Sequence, residues 1–247
     1  MKKMAVAALL FAASVTTALG AEIKVLAIGA LQPGLARVAE QYKRDTGNDV
    51  TIQVGIASQV ATRLAAGESA DVLIATPDLV EQAIKDGRVA GATAAVIGRI
   101  GIGIAVRIGA NPPNVATVDA FKRALLAADS IVYNQGSSGL YLEKLFEQMG
   151  IGEQIKTRTT RYAGGGEVLD RVLQGKGNDI GLAPITAIKT NESRGLRLVP
   201  IPAEVQNYTS YTAVVMTRAQ SAEAARDFIR YMTAPAGKQA FAATGVD

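Results

Sequence analysis

The chain has 247 residues, 49% of them hydrophobic and 19% charged, with 26 Lys and Arg against 22 Asp and Glu. This is a globular composition, and its formal charge of +4 is too small and too scattered to imply nucleic acid or an anionic membrane as partner. Cys and His are both absent, which removes disulfides, the usual ligands of zinc, copper, haem and iron–sulfur centres, and any catalysis by histidine or thiol.

The first 20 residues follow the plan of a secretory signal. Lys2 and Lys3 precede an apolar run from Met4 to Val15, and Ala18 and Gly20 supply small residues for a peptidase. The run is about 12 residues, shorter than the roughly 20 a bilayer-spanning helix needs. A buried N-terminal helix is the competing reading. The expected product begins at Ala21, leaves about 227 residues, and works outside the cytoplasm. Without Lys2 and Lys3 the basic excess falls to about two. No second stretch approaches spanning length, so a soluble protein released after export is expected, and it is expected to act as a monomer.

Short apolar strands then alternate with amphipathic helices. Ile23 to Ile28 reads as a buried strand, and Leu35, Val38, Ala39 and Tyr42 recur at helical spacing until Gly47. Val50 to Val54 alternates as a strand. Ser58 is the expected N-cap of a helix carrying Val60, Leu64 and Ala65, ended by Gly67. Asp71 to Ala75 is a strand, and a helix from Asp78 to Lys85 follows. This rhythm predicts a parallel, doubly wound sheet.

Ile100 to Val106 reads as one apolar strand, broken off by Asn111, Pro112, Pro113 and Asn114. A second series follows: helix 118–128, strand 131–134, helix 139–149, strand 156–161, helix 166–173 and strand 179–183. Beyond Pro200 and Pro202, a strand from Tyr211 to Met216 and two helices are too little for a domain and must return to the first lobe. The predicted fold is therefore α/β, with two doubly wound lobes joined by a two-crossing hinge. Residues 21–106 plus 207–247 form lobe 1 and residues 107–206 form lobe 2, with the crossings near Val106 and at 204–208.

In open α/β sheets, ligands bind beyond the carboxyl ends of strands, where helix N-termini expose free N–H groups. Four strand-to-helix loops qualify: Gly29 to Gln32, Ala57 with Ser58, Gln135 to Gly139 with Ser137 and Ser138, and Tyr162 to Gly166 with Gly164, Gly165 and Gly166. None continues as Gly-Lys-Ser/Thr, so no nucleotide-binding P-loop is present. Arg158 and Arg161 flank the last loop and suit a carboxylate. Asn207, Tyr208 and Tyr211 lie at the second crossing. Each feature also has a structural use, respectively chain reversal, capping, a solvated strand edge and aromatic packing in a hinge. The candidate ligand set is Gly29, Ala30, Ser58, Ser137, Ser138, Arg161, Gly165, Gly166 and Tyr208, with no catalytic residue, metal ligand or cofactor assigned.

Together, Val25 to Leu31, Ser58 through Ala70 to Ile74, Ser138 to Tyr141, and Phe228 to Met232 followed by Ala234 to Gly237 resemble the molybdate-type periplasmic solute-binding proteins of ABC importers. The resemblance runs from about Glu22 to Val246. It implies a type II periplasmic binding fold, capture of a small anion by hydroxyls and amides, and an inner-membrane permease as partner. By this likeness Ser58, Ser138 and Gly166 fall where the family binds. Two family hydroxyls are replaced, by Ala30 and by Pro184. Each lost hydrogen bond to a charged acceptor is worth about 1.5–3 kcal/mol, so a larger organic anion held by the loops with Arg158 or Arg161 fits better than molybdate. The alternative is an enzyme on the same scaffold resembling the periplasmic isomerases of small tricarboxylic acids such as aconitate. Without histidine, its base would be a carboxylate, tyrosine or lysine.

Overall fold

A computed structural model describes residues 20–247; the expected signal lies almost wholly outside the described residues. The first lobe runs β1 (Glu22–Ile28), α1 (Gln32–Thr46), β2 (Asp49–Gly55), α2 (Ala57–Ala65), β3 (Val72–Ala75), α3 (Pro77–Lys85) and β4 (Ala95–Ile100). The second holds β5 (Ile102–Arg107), α4 (Val118–Ala127), β6 (Ser130–Asn134), α5 (Ser137–Gln148), α6 (Gly152–Ile155), β7 (Thr159–Tyr162) and α7 (Gly165–Gln174). It continues with β8 (Asp179–Pro184), α8 (Ile185–Thr190) and β9 (Leu196–Pro200), before β10 (Thr209–Val215), α9 (Ala222–Thr233) and α10 (Pro235–Ala242) return to the first lobe.

The sheets have orders β2-β1-β3-β10-β4 and β7-β6-β8-β5-β9. Each is mixed, which amends the expected parallel sheet. β1 pairs parallel with β2 and β3, and β6 with β7 and β8, whereas β10 and β5 run antiparallel to their neighbours. Tyr42 packs edge-on against Phe228 at 5.0 Å, which ties α1 to α9 in the first core. Phe121, Leu125, Ile131, Leu142 and Phe146 are buried in the second. Among the described residues no helix is long and apolar enough to cross a membrane.

Three expectations change. The run Ile100 to Val106 is two strands split at Gly101: Ile100 ends a strand of the first sheet, and Ile102 pairs with Pro184 in the second. The crossing thus falls at Gly101, not near Val106, and β5 belongs to lobe 2. Ser58 does not cap α2. The helix begins two residues earlier with Ile56 at the N-cap, and Gln59 folds back to accept the Ile56 N–H at 3.1 Å. Lys156 to Arg158 is a 3-10 turn, so β7 starts only at Thr159.

At the crossing, Gln206 grips Ile102 from both sides. Its Oε1 accepts the Ile102 N–H at 2.8 Å, and its Nε2 donates to the Ile102 carbonyl at 2.8 Å. Gln206→Leu leaves both half-buried backbone groups without their partner and is expected to cost about 1–3 kcal/mol. A fall in the urea midpoint at unchanged slope would register it; an unchanged midpoint would remove the clamp from the account.

Candidate functional site

The parallel strands of both lobes point their carboxyl ends at one inter-lobe cleft of about 510 Å³. Lobe 1 contributes the end of β1 with Gly29 and Ala30, the end of β2 with Ile56 and Ala57, and Thr209 and Tyr211 of β10. Lobe 2 contributes Asn134, Gly136, Ser137 and Ser138, the Ala163 to Glu167 turn, Pro184 and the outer face of α8. The lobes touch across it. The Thr186 hydroxyl on α8 donates to the Ala30 carbonyl at 2.7 Å, and the Ser137 and Thr209 hydroxyls lie 3.4 Å apart.

The loop into α5 is held from beneath by Asn134, which is buried at the end of β6. Its Oδ1 accepts the Gly136 N–H at 2.8 Å, and its Nδ2 donates to the Ser138 hydroxyl at 3.0 Å. A Cβ on Gly139 would sit 1.6 Å from the Asn134 carbonyl, so only glycine lets the helix start this close to the strand end. No side chain caps the first turn of α5. Its leading amides therefore face the cleft with the partial positive charge of a helix N-terminus.

The turn into α7 uses glycine differently. Gly164, Gly165 and Gly166 have no positive φ, and nothing lies within 4 Å of a Cβ placed on Gly164 or Gly166. Neither chain reversal nor packing requires glycine at those two positions. What their lack of side chains does provide is bare amide surface at the cleft.

Among the described residues the cleft wall carries no Lys or Arg, and its one charged side chain is Glu167. The Glu167 Oε2 accepts the Gly164 N–H at 3.1 Å, at the first turn of α7. Arg161 instead ion-pairs with Glu143 and lies 5.8 Å over the Tyr133 ring, and Arg158 donates to the Leu126 carbonyl at 2.7 Å. Both guanidinium groups are thus held on the flank of lobe 2, outside the cleft wall, although the buried Nε of each has no hydrogen-bond partner among the described residues. Ser58 is exposed and outside the cleft wall, and Tyr208 stacks beneath Arg99, 4.4 Å from it, on the hinge. Of the nine sequence candidates, Gly29, Ala30, Ser137, Ser138, Gly165 and Gly166 converge on the cleft; Ser58, Arg161 and Tyr208 do not. Asn134, Thr209 and Tyr211 line it but were not among those candidates. The two-residue spacing of Thr209 and Tyr211, which puts both on one face of a strand, was the available signal.

Among the described residues no group of His, Cys, Asp or Glu could hold a metal ion. Tyr211 is buried, and burial pushes its phenol up to about 12 against the opposing pull of the Ser137 and Thr209 hydroxyls. It is a hydrogen-bond donor throughout the physiological range and a poor base. Between pH 10 and 12 the unfolded chain releases this proton first, so native stability falls as pH rises, by on the order of 2 kcal/mol for this group. Tyr231, pushed up to about 12 by burial and by donation to Asp45, adds to the same fall. Tyr211→Phe should therefore lose less stability than wild type from pH 10 to 12 in urea titrations. Parallel curves would contradict the assignment.

A family model described as bacterial extracellular solute-binding protein matches residues 23–247. An aconitate isomerase from a Pseudomonas species is 28% identical over 245 residues, covering 96% of this chain and 90% of that protein. The periplasmic molybdate-binding protein of Azotobacter vinelandii superposes with a TM-score of 0.78 at 16% identity, over 91% of this chain and 98% of that one. The sulfate-binding protein of Mycobacterium tuberculosis superposes with a TM-score of 0.74 at 18% identity, over 92% and 86%.

Proposed function

The chain belongs to the bacterial extracellular solute-binding protein family, and on that premise we propose that it is a periplasmic receptor that captures a small organic carboxylate between its lobes. One observation carries the reading: the first turns of α5 and α7, with the Ser137, Thr209 and Tyr211 hydroxyls, face a cleft to which the described residues contribute no cation. Amides and hydroxyls preorganised around a cleft stabilise an anion without a counter-charge. Apolar walls from Ile28, Val54, Ile56, Ile100 and Leu169 favour a ligand with a carbon skeleton over a bare tetrahedral oxyanion. Ala30 and Pro184 extend that apolar wall. Arg158 and Arg161, which lie outside the cleft wall, are not ligands in this reading. In this reading the leader is cleaved, the protein acts as a monomer, and an ABC permease in the inner membrane receives the ligand.

Titration calorimetry against molybdate, sulfate, citrate, tricarballylate and the two aconitates tests this. A carboxylate should bind with one-to-one stoichiometry. Ser137→Ala should weaken it about tenfold, as expected for one hydrogen bond to a charged acceptor. Arg161→Ala should stay within about twofold. Binding of none of these anions, or dependence on Arg161, would sink the proposal.

The isomerase relative, which covers 96% of this chain, favours a second reading in which aconitate is turned over. Such a reaction moves one proton: it leaves the methylene carbon, the double bond shifts, and a proton is returned to the former vinylic carbon. With Tyr211 held neutral, Glu167 is the carboxylate in the cleft able to carry it. Proton NMR of cis-aconitate with the protein should then show conversion to the trans isomer, abolished in Glu167→Gln while binding persists. An unchanged wild-type spectrum restricts the protein to capture.

A further inference from the structure

On the other side of Gly101 the lobes leave a second cavity, of about 610 Å³, within the usual size range of small-molecule sites. Gly101 borders both spaces. Lobe 1 supplies Val96 and Phe241 to its walls, lobe 2 supplies Ile185 and Leu198, and Tyr208 of the crossing completes them. Val96 and Tyr208 are 67% and 43% exposed, unusual for large apolar side chains, and here they stand on one concave surface.

Two cations rim the space, Lys189 from α8 and Lys238 from α10. Among the described residues neither has an ion-pair or hydrogen-bond partner for its ammonium group. The acid at the rim, Asp247, lies 3.9 Å from Arg99, the guanidinium that also stacks on Tyr208. The acid thus faces a cation of its own, and the two lysines, one on each lobe, remain unmatched over an apolar floor.

We infer that this hinge-side cavity binds an amphipathic monocarboxylate, its hydrocarbon part against Val96, Ile185, Leu198 and Phe241 and its carboxylate between Lys189 and Lys238. The site is independent of the cleft reading, since it shares only Gly101 with the cleft wall. Charge complementarity selects the occupant: a neutral or cationic amphiphile would cover the apolar floor and leave both ammonium groups unpaired.

Decanoate, titrated calorimetrically into the whole protein below its micellar concentration, is the probe. A single saturable site is expected, weakened at least tenfold in Lys189→Glu/Lys238→Glu and unchanged in Ser137→Ala. Decyltrimethylammonium should bind at least tenfold more weakly than decanoate. Both lysines are exposed, so the double variant should fold, and circular dichroism checks that it does. No saturable decanoate binding overturns the proposal, as does equal affinity in the lysine variant. Loss of binding in Ser137→Ala alone would place decanoate in the cleft. A dimer in sedimentation that Val96→Glu dissociates would make a second copy the occupant; either result also overturns it.

Discussion

Parallel pairing within each sheet is the constraint from which the binding geometry follows, because a parallel neighbour can be reached only by a crossover that starts every helix at the same end of the sheet. β1, β2 and β3 do this in one lobe and β6, β7 and β8 in the other. Helix N-termini therefore collect at one edge of each lobe. The antiparallel strands β10 and β5 then decide how those edges face each other, since each adjoins a crossing at the hinge. Gln206 matters for the same reason. It holds Ile102 two residues after the end of β4, where a change in backbone direction would swing one whole lobe.

The cleft has the polarity of its backbone more than of its side chains. Amide dipoles at the starts of α5 and α7 are fixed by hydrogen bonds within the helices and need no reorganisation when an anion arrives. Asn134 adds to this rigidity by spending both ends of its amide on the loop above it. The bare glycines of the α7 turn contribute by what they lack, leaving amide surface that a methyl group would partly cover.

The strand-and-helix alternation was legible because apolar periodicity and glycine stops are local signals, as at Leu35, Val38, Tyr42 and Gly47. The break at Gly101 was not, because an apolar run reads the same whether it serves one sheet or two. Long charged side chains were the least legible. Arg158 and Arg161 stand close in sequence to the glycine turn, yet Leu126 and Glu143, contributed by α4 and α5, fix where they point. Ser58 fits a capping pattern two residues out of phase with the true N-cap, Ile56, and Gln59 holds the start of that helix instead. Ser137, Ser138 and the α7 glycines were readable since loop position alone sends them to the cleft, whereas Arg161 required tertiary knowledge.

A cleft without cations has an easy empty state. Had it been lined by arginines, departure of an anion would strand buried positive charge at a cost of several kcal/mol, and the protein would have to hydrate, re-pair or shift to absorb it. Here the polar groups that would face the vacated space are amides, hydroxyls and the Glu167 carboxylate, which already accepts the Gly164 N–H, and water satisfies them at little cost. In the proposed reading, emptying the cleft strands no buried positive charge.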